Sequence, residues 1–186
     1  MNTQLGIAIE IALSAHEGQR YGETNFPYAY HLNQVHTVCV ARNAPKDMDP
    51  GQAFSDLPYM DTLLAVCFLH DVLEDTELTE EDLESMGVMP HIVEALVILD
   101  KNRAESYRKY IEACRNHPVA REVKICDTIA NLTNSVMSGN SKRIKKYSNQ
   151  LSMLEREASV LENKARKKTT RSDKFKGYVG EQYNVE

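Results

Sequence analysis

Apolar residues recur at three- and four-residue steps along most of this 186-residue chain. That period commits the chain to helices, because a half-buried strand alternates at two. Leu5, Ala8, Ile9, Ala12 and Ala15 mark a first amphipathic helix ending near Gly18. Residues 18–29, with Gly18, Gly22, Asn25 and Pro27, read as a loop. Leu32, Val35, Val38 and Cys39 share one face of a second helix over residues 31–41. Residues 43–59 hold Pro45, Pro50, Gly51 and Pro58 and read as a long loop, a length that is usually functional or mobile. The run Leu63, Leu64, Ala65, Val66, Cys67, Phe68, Leu69 is apolar on every side. Residues 60–73 are therefore expected to form a central buried helix, with a buried strand the alternative on pattern alone.

Local signals punctuate the rest. Thr79 with Asp82 resembles a capping box for a short helix stopped by Gly87. Pro90 opens a helix to about Asp100, and two more are expected near 105–115 and 118–135, the second again opened by a proline, Pro118. Ser141 is expected to cap a long helix reaching about Asn163. Residues 164–186 lose the period and read as a tail. There are no internal repeats. The expectation is an all-α chain with one domain over 1–163, an extended C-terminal helix and a basic tail over 164–186.

Hydrophobic residues make up 42% and charged residues 26%, the balance of a globular chain with a real core. No apolar run is long enough for a membrane span, and Met1-Asn2-Thr3-Gln4 does not open like a signal peptide. Cys39, Cys67, Cys114 and Cys126 sit singly in apolar stretches, as reduced core thiols of a cytoplasmic protein do. The net charge of −5 conceals an asymmetry: residues 1–120 carry 8 basic and 19 acidic side chains, residues 121–186 carry 14 and 8.

The chemistry concentrates at His70-Asp71, where the buried run ends. Burying an imidazole beside a carboxylate is costly unless both find partners. Glu74 and Asp75 follow within one and a half turns. Either a metal ion or an acidic cluster opening the next turn accounts for this segment by itself. His31, after a loop, and Asp127, inside the apolar stretch Val123-Lys124-Ile125-Cys126-Asp127, are commonly core polar residues when alone. As a set, His31, His70, Asp71 and Asp127 make a two-histidine, two-carboxylate site. Such ligands suit manganese, iron, zinc or nickel.

This H…HD…D order resembles the HD-domain metal-dependent phosphohydrolases. The likeness extends to the RelA/SpoT-type hydrolase domain over about residues 5–155. Ala15-His16-Glu17-Gly18-Gln19 looks like its AHxGQ, and Pro27-Tyr28-Ala29-Tyr30-His31 like its PYxxH. Leu69-His70-Asp71-Val72-Leu73-Glu74-Asp75-Thr76 is similar to its LHDVxEDT. Glu105-Ser106-Tyr107 with Tyr110-Ile111 resembles the ESYxxYI of small stand-alone members, and Val123–Asp127 with Asn131-Leu132 resembles VKLxDxxxNL.

The resemblance implies an HD-domain helical fold and a hydrolase removing pyrophosphate from the 3′ position of guanosine tetraphosphate or a relative. It implies one divalent ion, manganese, held by His31, His70, Asp71 and Asp127. Glu74 and Asp75 would position and deprotonate the attacking water. Arg20, Lys101, Asn131, Arg143 and Tyr147 would contact the nucleotide. The chain departs from the pattern at Arg20-Tyr21-Gly22-Glu23-Thr24-Asn25-Phe26, one residue longer and without a second basic residue. Leu32, Asp100 and Thr128 also differ from the usual residues, and 43–59 looks like an insertion.

A phosphatase acting on a nicotinamide dinucleotide phosphate or a deoxynucleoside monophosphate is the enzymatic alternative, and a nucleotide-binding protein without turnover is the non-enzymatic one. His16 reads equally as a hydrogen-bonder holding the 18–29 loop. His36, His91 and His117 read as ordinary helix or cap residues, Tyr107 and Tyr110 as anchors. Lys142-Arg143-Lys145-Lys146 suits a phosphate-facing edge better than a nucleic-acid stripe. The 164–176 tail, with seven basic residues against one acid, reads as a disordered or oligomer-docking extension in preference to nucleic-acid contact. The expected partner is a small nucleotide, with no membrane and no nucleic acid; the tail leaves room for a homo-oligomer.

Overall fold

A computed structural model describes residues 3–22, 25–45 and 57–155. Most of the 43–59 loop, the end of the last helix at 163 and the 164–186 tail lie outside the described residues.

The centre of the fold is α3 (Pro58–Leu69), opened by a proline in its first turn and buried from Leu63 through Leu69. It packs against α1 (Gln4–Ala15), α2 (Ala29–Asn43), α6 (Pro90–Leu99) and α8 (Pro118–Met137). A helix apolar all round needs such neighbours on every side. Asp61, in the first turn of α3, accepts the backbone N–H groups of Gln4 and Leu5, both at 3.0 Å. Two otherwise unpaired donors at the start of α1 are thereby satisfied, and α1 is docked along α3.

Residues 60–73 are not one helix. α3 stops at Leu69, His70 and Asp71 form a break, and α4 (Val72–Asp75) is a single turn ended by Thr76. The ring of His70 supplies the cause: its Nδ1 donates to the Cys67 carbonyl at 2.9 Å. The break turns Glu74 and Asp75 out of the direction a continuous helix would give them.

The described parts of the 18–29 segment form a short ribbon where a loop is expected. β1 (Arg20–Tyr21) and β2 (Phe26–Pro27) pair antiparallel, Arg20 with Pro27 and Tyr21 with Phe26. Gly22 (φ +51°) begins the reversal, a backbone that glycine adopts without strain. These two-residue strands are the only ones among the described residues, so the all-α class holds.

α5 (Glu80–Ser85) has the expected Thr79–Asp82 capping box, with Gly87 beyond its end. After α6, a 3-10 turn (Lys101–Arg103) leads to α7 (Tyr107–Asn116), capped by Ser106, and α8 is capped by the His117 ring. The last helical stretch, α9, covers 141–155. Its cap is Asn140, not Ser141: Asn140 Oδ1 accepts from Arg143 N at 3.2 Å. All four cysteines are free and buried. No helix among the described residues is long and apolar enough to cross a membrane.

Candidate functional site

Three places in the fold bring the two histidines and two carboxylates together. His31 comes from the first turn of α2, His70 and Asp71 from the break after α3, and Asp127 from the middle of α8. His31 Nε2 lies 3.3 Å from Asp127 Oδ1 and 3.7 Å from Asp71 Oδ2. His70 Nε2 lies 2.9 Å from Asp71 Oδ2 and 3.9 Å from Asp127 Oδ1. Both histidines and Asp127 are buried.

The His70 ring has one assignable tautomer. A carbonyl only accepts, so Nδ1 carries the hydrogen given to Cys67 O, and Nε2 faces the cluster. Nε2 is buried without an aligned hydrogen-bond partner among the described residues. A ring fixed by one nitrogen to a backbone carbonyl, with the other nitrogen turned to carboxylates, is how proteins orient a metal-binding imidazole. Burial opposes charge on this ring, but Asp71 and Asp127 outweigh it and raise its pKa to about 9. Burial likewise works against charge on Asp71 and Asp127. Against it, His70 pulls Asp71 below the carboxylate range, and Lys124 with the two histidines does the same for Asp127.

The cluster opens on a cavity of about 190 Å³. Among the expected contacts, Lys101, Asn131 and Tyr147 line it, together with Glu74 and Asp75. Glu74 is not free. Lys101 Nζ pairs with its Oε1, and the Lys101 backbone N–H approaches Oε2 at 3.3 Å. Asp75 is exposed and accepts from the Tyr28 hydroxyl at 3.2 Å, which also donates to Asp71 Oδ2 at 2.5 Å. The amide of Asn131 is turned inward: Nδ2 donates to Asp127, and Oδ1 accepts from Tyr21 at 2.9 Å and from Arg143 at 3.4 Å. Arg143 therefore sits beside Asn131, its guanidinium 5.7 Å from the Tyr147 ring centre. Arg20 is exposed, reaches the Asn25 carbonyl at 3.4 Å, and borders a separate cavity with His16 and Gln19.

Further side chains support the cluster and its cavity. Lys124, three residues before Asp127 on the same face of α8, donates to Asp127 Oδ2 at 2.8 Å and lies 5.3 Å from the Tyr110 ring centre. Burial opposes its charge, yet Asp127 and Tyr110 hold its pKa well above the usual lysine value. Tyr28, three residues before His31, orients two carboxylates by its hydroxyl, and His16 stacks on the Tyr28 ring at 4.4 Å. Tyr21 stacks on His31 with centroids 4.6 Å apart and planes 3° from parallel. Lys146 reaches the cavity from α9. The i−3 spacing from a ligand-type residue is the sequence signal that could have found Lys124 and Tyr28; Lys146 belongs to the basic run read as a phosphate-facing edge, and Tyr21 has no such signal.

With the imidazoles neutral, the lining has four carboxylates (Asp71, Glu74, Asp75, Asp127) against three lysines (Lys101, Lys124, Lys146). Its net −1 becomes +1 with a divalent cation. Two groups, His31/His70/Asp127 and Asp71/Glu74/Asp75, bring ligand atoms close enough to share an ion. The Nε2 of His70, turned to the carboxylates and 2.9 Å from Asp71 Oδ2, and the mixed nitrogen and oxygen donors fit a divalent metal.

No family model matches the sequence, and no curated protein does. Among solved structures, the chain is similar to a metazoan ortholog of SpoT that hydrolyzes ppGpp and plays a role in starvation responses. The TM-score is 0.63 at 19% identity, over 84% of this chain and 88% of that one. The all-α HD-domain fold implied by the sequence resemblance is thus the fold found, shared with a solved structure over most of both chains.

Proposed function

We propose that this chain is a metal-dependent phosphohydrolase acting on a nucleotide, with the 3′-pyrophosphate of guanosine tetraphosphate its leading substrate. The observation that carries the reading is His70: its Nδ1 is committed to Cys67 O, and its buried Nε2 faces Asp71, Asp127 and the ring of His31. The ppGpp hydrolysis of the structural neighbour supports the choice of substrate, as does the sequence resemblance.

In this scheme His31, His70, Asp71 and Asp127 hold one divalent ion, manganese by resemblance. When bound, the ion supplies Lewis acidity, lowering the pKa of water and polarising the phosphoryl group. Asp75, with an exposed carboxylate beside the cluster, takes the proton of the attacking water. Glu74 positions the water and keeps Lys101 at the mouth. Tyr28 holds Asp71 and Asp75 in their relative orientation through one hydroxyl. Lys124 clamps Asp127 Oδ2 and Asn131 Nδ2 holds Oδ1, so the carboxylate that would serve the ion is fixed in place. Lys101, Lys146, Arg143 and Tyr147 receive the anionic substrate, Asn131 fixes Asp127, and Arg20 reaches substrate only at the outer edge of the ribbon. Four buried free thiols fit a reducing, cytoplasmic setting.

Purified protein with manganese and guanosine tetraphosphate is expected to release pyrophosphate, and a chelator to stop it. Absence of product at micromolar enzyme would remove that substrate. The second reading, a phosphatase on another nucleotide, is favoured by the Tyr21 segment. A nucleotide panel assayed for phosphate against pyrophosphate separates the two.

A further inference from the structure

We propose that Tyr21 is a specificity-determining wall, which admits the phosphorylated head of a substrate to the cavity and keeps its nucleobase outside. The inference rests on the phosphohydrolase reading above and deepens it by naming what is recognised: the anionic head, with little regard to the base.

The wall is held from several directions. Tyr21 is only 7% exposed and lies flat on the His31 ring. Its ring also meets Tyr28 edge-on and Tyr30 at an angle, each with centroids 6.2 Å apart. Its hydroxyl donates to Asn131 Oδ1 at 2.9 Å and accepts from Asn134 Nδ2 at 3.2 Å. Swinging the ring aside would break both hydrogen bonds and uncover His31, so the wall does not yield to a ligand as a loose side chain would.

The space it bounds is small. Pockets that enclose whole drug-sized ligands measure roughly 300–1,000 Å³, against about 190 Å³ here. A phosphoryl or pyrophosphoryl group fits such a volume; the same group with ribose and purine does not.

The two amides of the lining are not free to read a base. Its amides are Asn131 and Gln150. Asn131 is engaged by Tyr21, Arg143 and Asp127. Gln150 donates to Thr128 Oγ1 at 2.8 Å and accepts from the Tyr107 hydroxyl at 2.9 Å. The remaining cationic donors, Lys101, Lys124 and Lys146, are ammonium groups that recognise charge without the directional pattern a base edge requires.

The test is calorimetric titration of the manganese-loaded full chain with pyrophosphate and with guanosine diphosphate, probes that report binding without turnover. The wild-type protein is expected to bind the two with dissociation constants within about threefold of each other. Tyr21→Ala removes the wall, and should tighten guanosine diphosphate relative to pyrophosphate by about tenfold or more, as the base gains space and a stacking surface. Tyr21→Phe keeps the wall and should keep the wild-type ratio. If Tyr21→Ala does not fold by circular dichroism, Tyr21→Val replaces it with the same expected direction. A wild-type preference for guanosine diphosphate of about tenfold, or an unchanged ratio in the opened variant, overturns the wall and leaves the hydrolase reading standing. No binding of either probe at millimolar concentration overturns both.

Discussion

His70 shows how one side chain links fold and chemistry. Its ring nitrogen ends α3 by taking the Cys67 carbonyl, and the other nitrogen is left facing carboxylates. The neighbouring carboxylates hold a proton on the ring up to about pH 9, so binding a divalent ion must expel it. Affinity for manganese should therefore rise by up to about tenfold per pH unit below that value, measured by titration between about pH 6.5 and 8.5. The pair stabilises the metal-free protein fully below the ordinary imidazole pKa of about 6.5. That contribution is lost as pH rises through about 9. The two acids after the break should separate by kinetics. Asp75→Asn should lower kcat by about 10²- to 10⁴-fold with manganese affinity kept, as loss of a general base does. Glu74→Gln should raise KM as well, because it releases Lys101. The histidines and acids were readable as a set because they are chemically conspicuous. Tyr21 was not, because its role arises from what it touches across the fold, and nothing adjacent in the chain marks those contacts.

Among the elements, the helices follow their apolar periods closely, and the departures have local causes. The α3 break was hidden because the apolar run continues through Val72 and Leu73, and hydrophobic pattern does not register a ring-to-carbonyl bond. The ribbon was hidden because two-residue strands are too short to show alternation. The α2–α8 junction carries a further consequence. Glu122 of α8 accepts from Arg42 Nε at 2.7 Å and from Asn43 Nδ2 at 2.9 Å, both at the end of α2. Burial works to raise its pKa, but Arg42 and Asn43 outweigh it and bring it below the ordinary value. A depressed carboxylate stabilises the fold above its unfolded pKa, near 4.5, and the contribution disappears as pH falls through the lower folded value. Glu122→Gln should therefore cost about 1–2 kcal/mol in urea unfolding at pH 7. It should also flatten the acid limb of the stability profile.

At the scale of the whole molecule, the charge asymmetry acquires a place. Asp71, Glu74 and Asp75 come from the acidic first two-thirds, and Lys124 and Lys146 from the basic remainder; all five meet at one cavity. Lys101 and Asp127 cross that division, so the halves interlock and do not form two separate faces. An ion held by the proposed ligands, residues 31, 70, 71 and 127, would bind the folded state alone. Manganese at about one hundred times its dissociation constant should then add about 2.7 kcal/mol of stability, seen as a rise in Tm that a chelator reverses.

The same distribution fixes when in folding the cluster can exist. His31, His70 and Asp127 converge only after α2, α3 and α8 have docked, across nearly a hundred residues of chain. A cation cannot template the early steps, since no two neighbouring helices alone supply the set. Its stabilisation should appear almost wholly as slower unfolding, with the refolding rate little changed. The rate at which the loaded protein surrenders manganese to excess chelator then becomes a clock for the opening of its helical core.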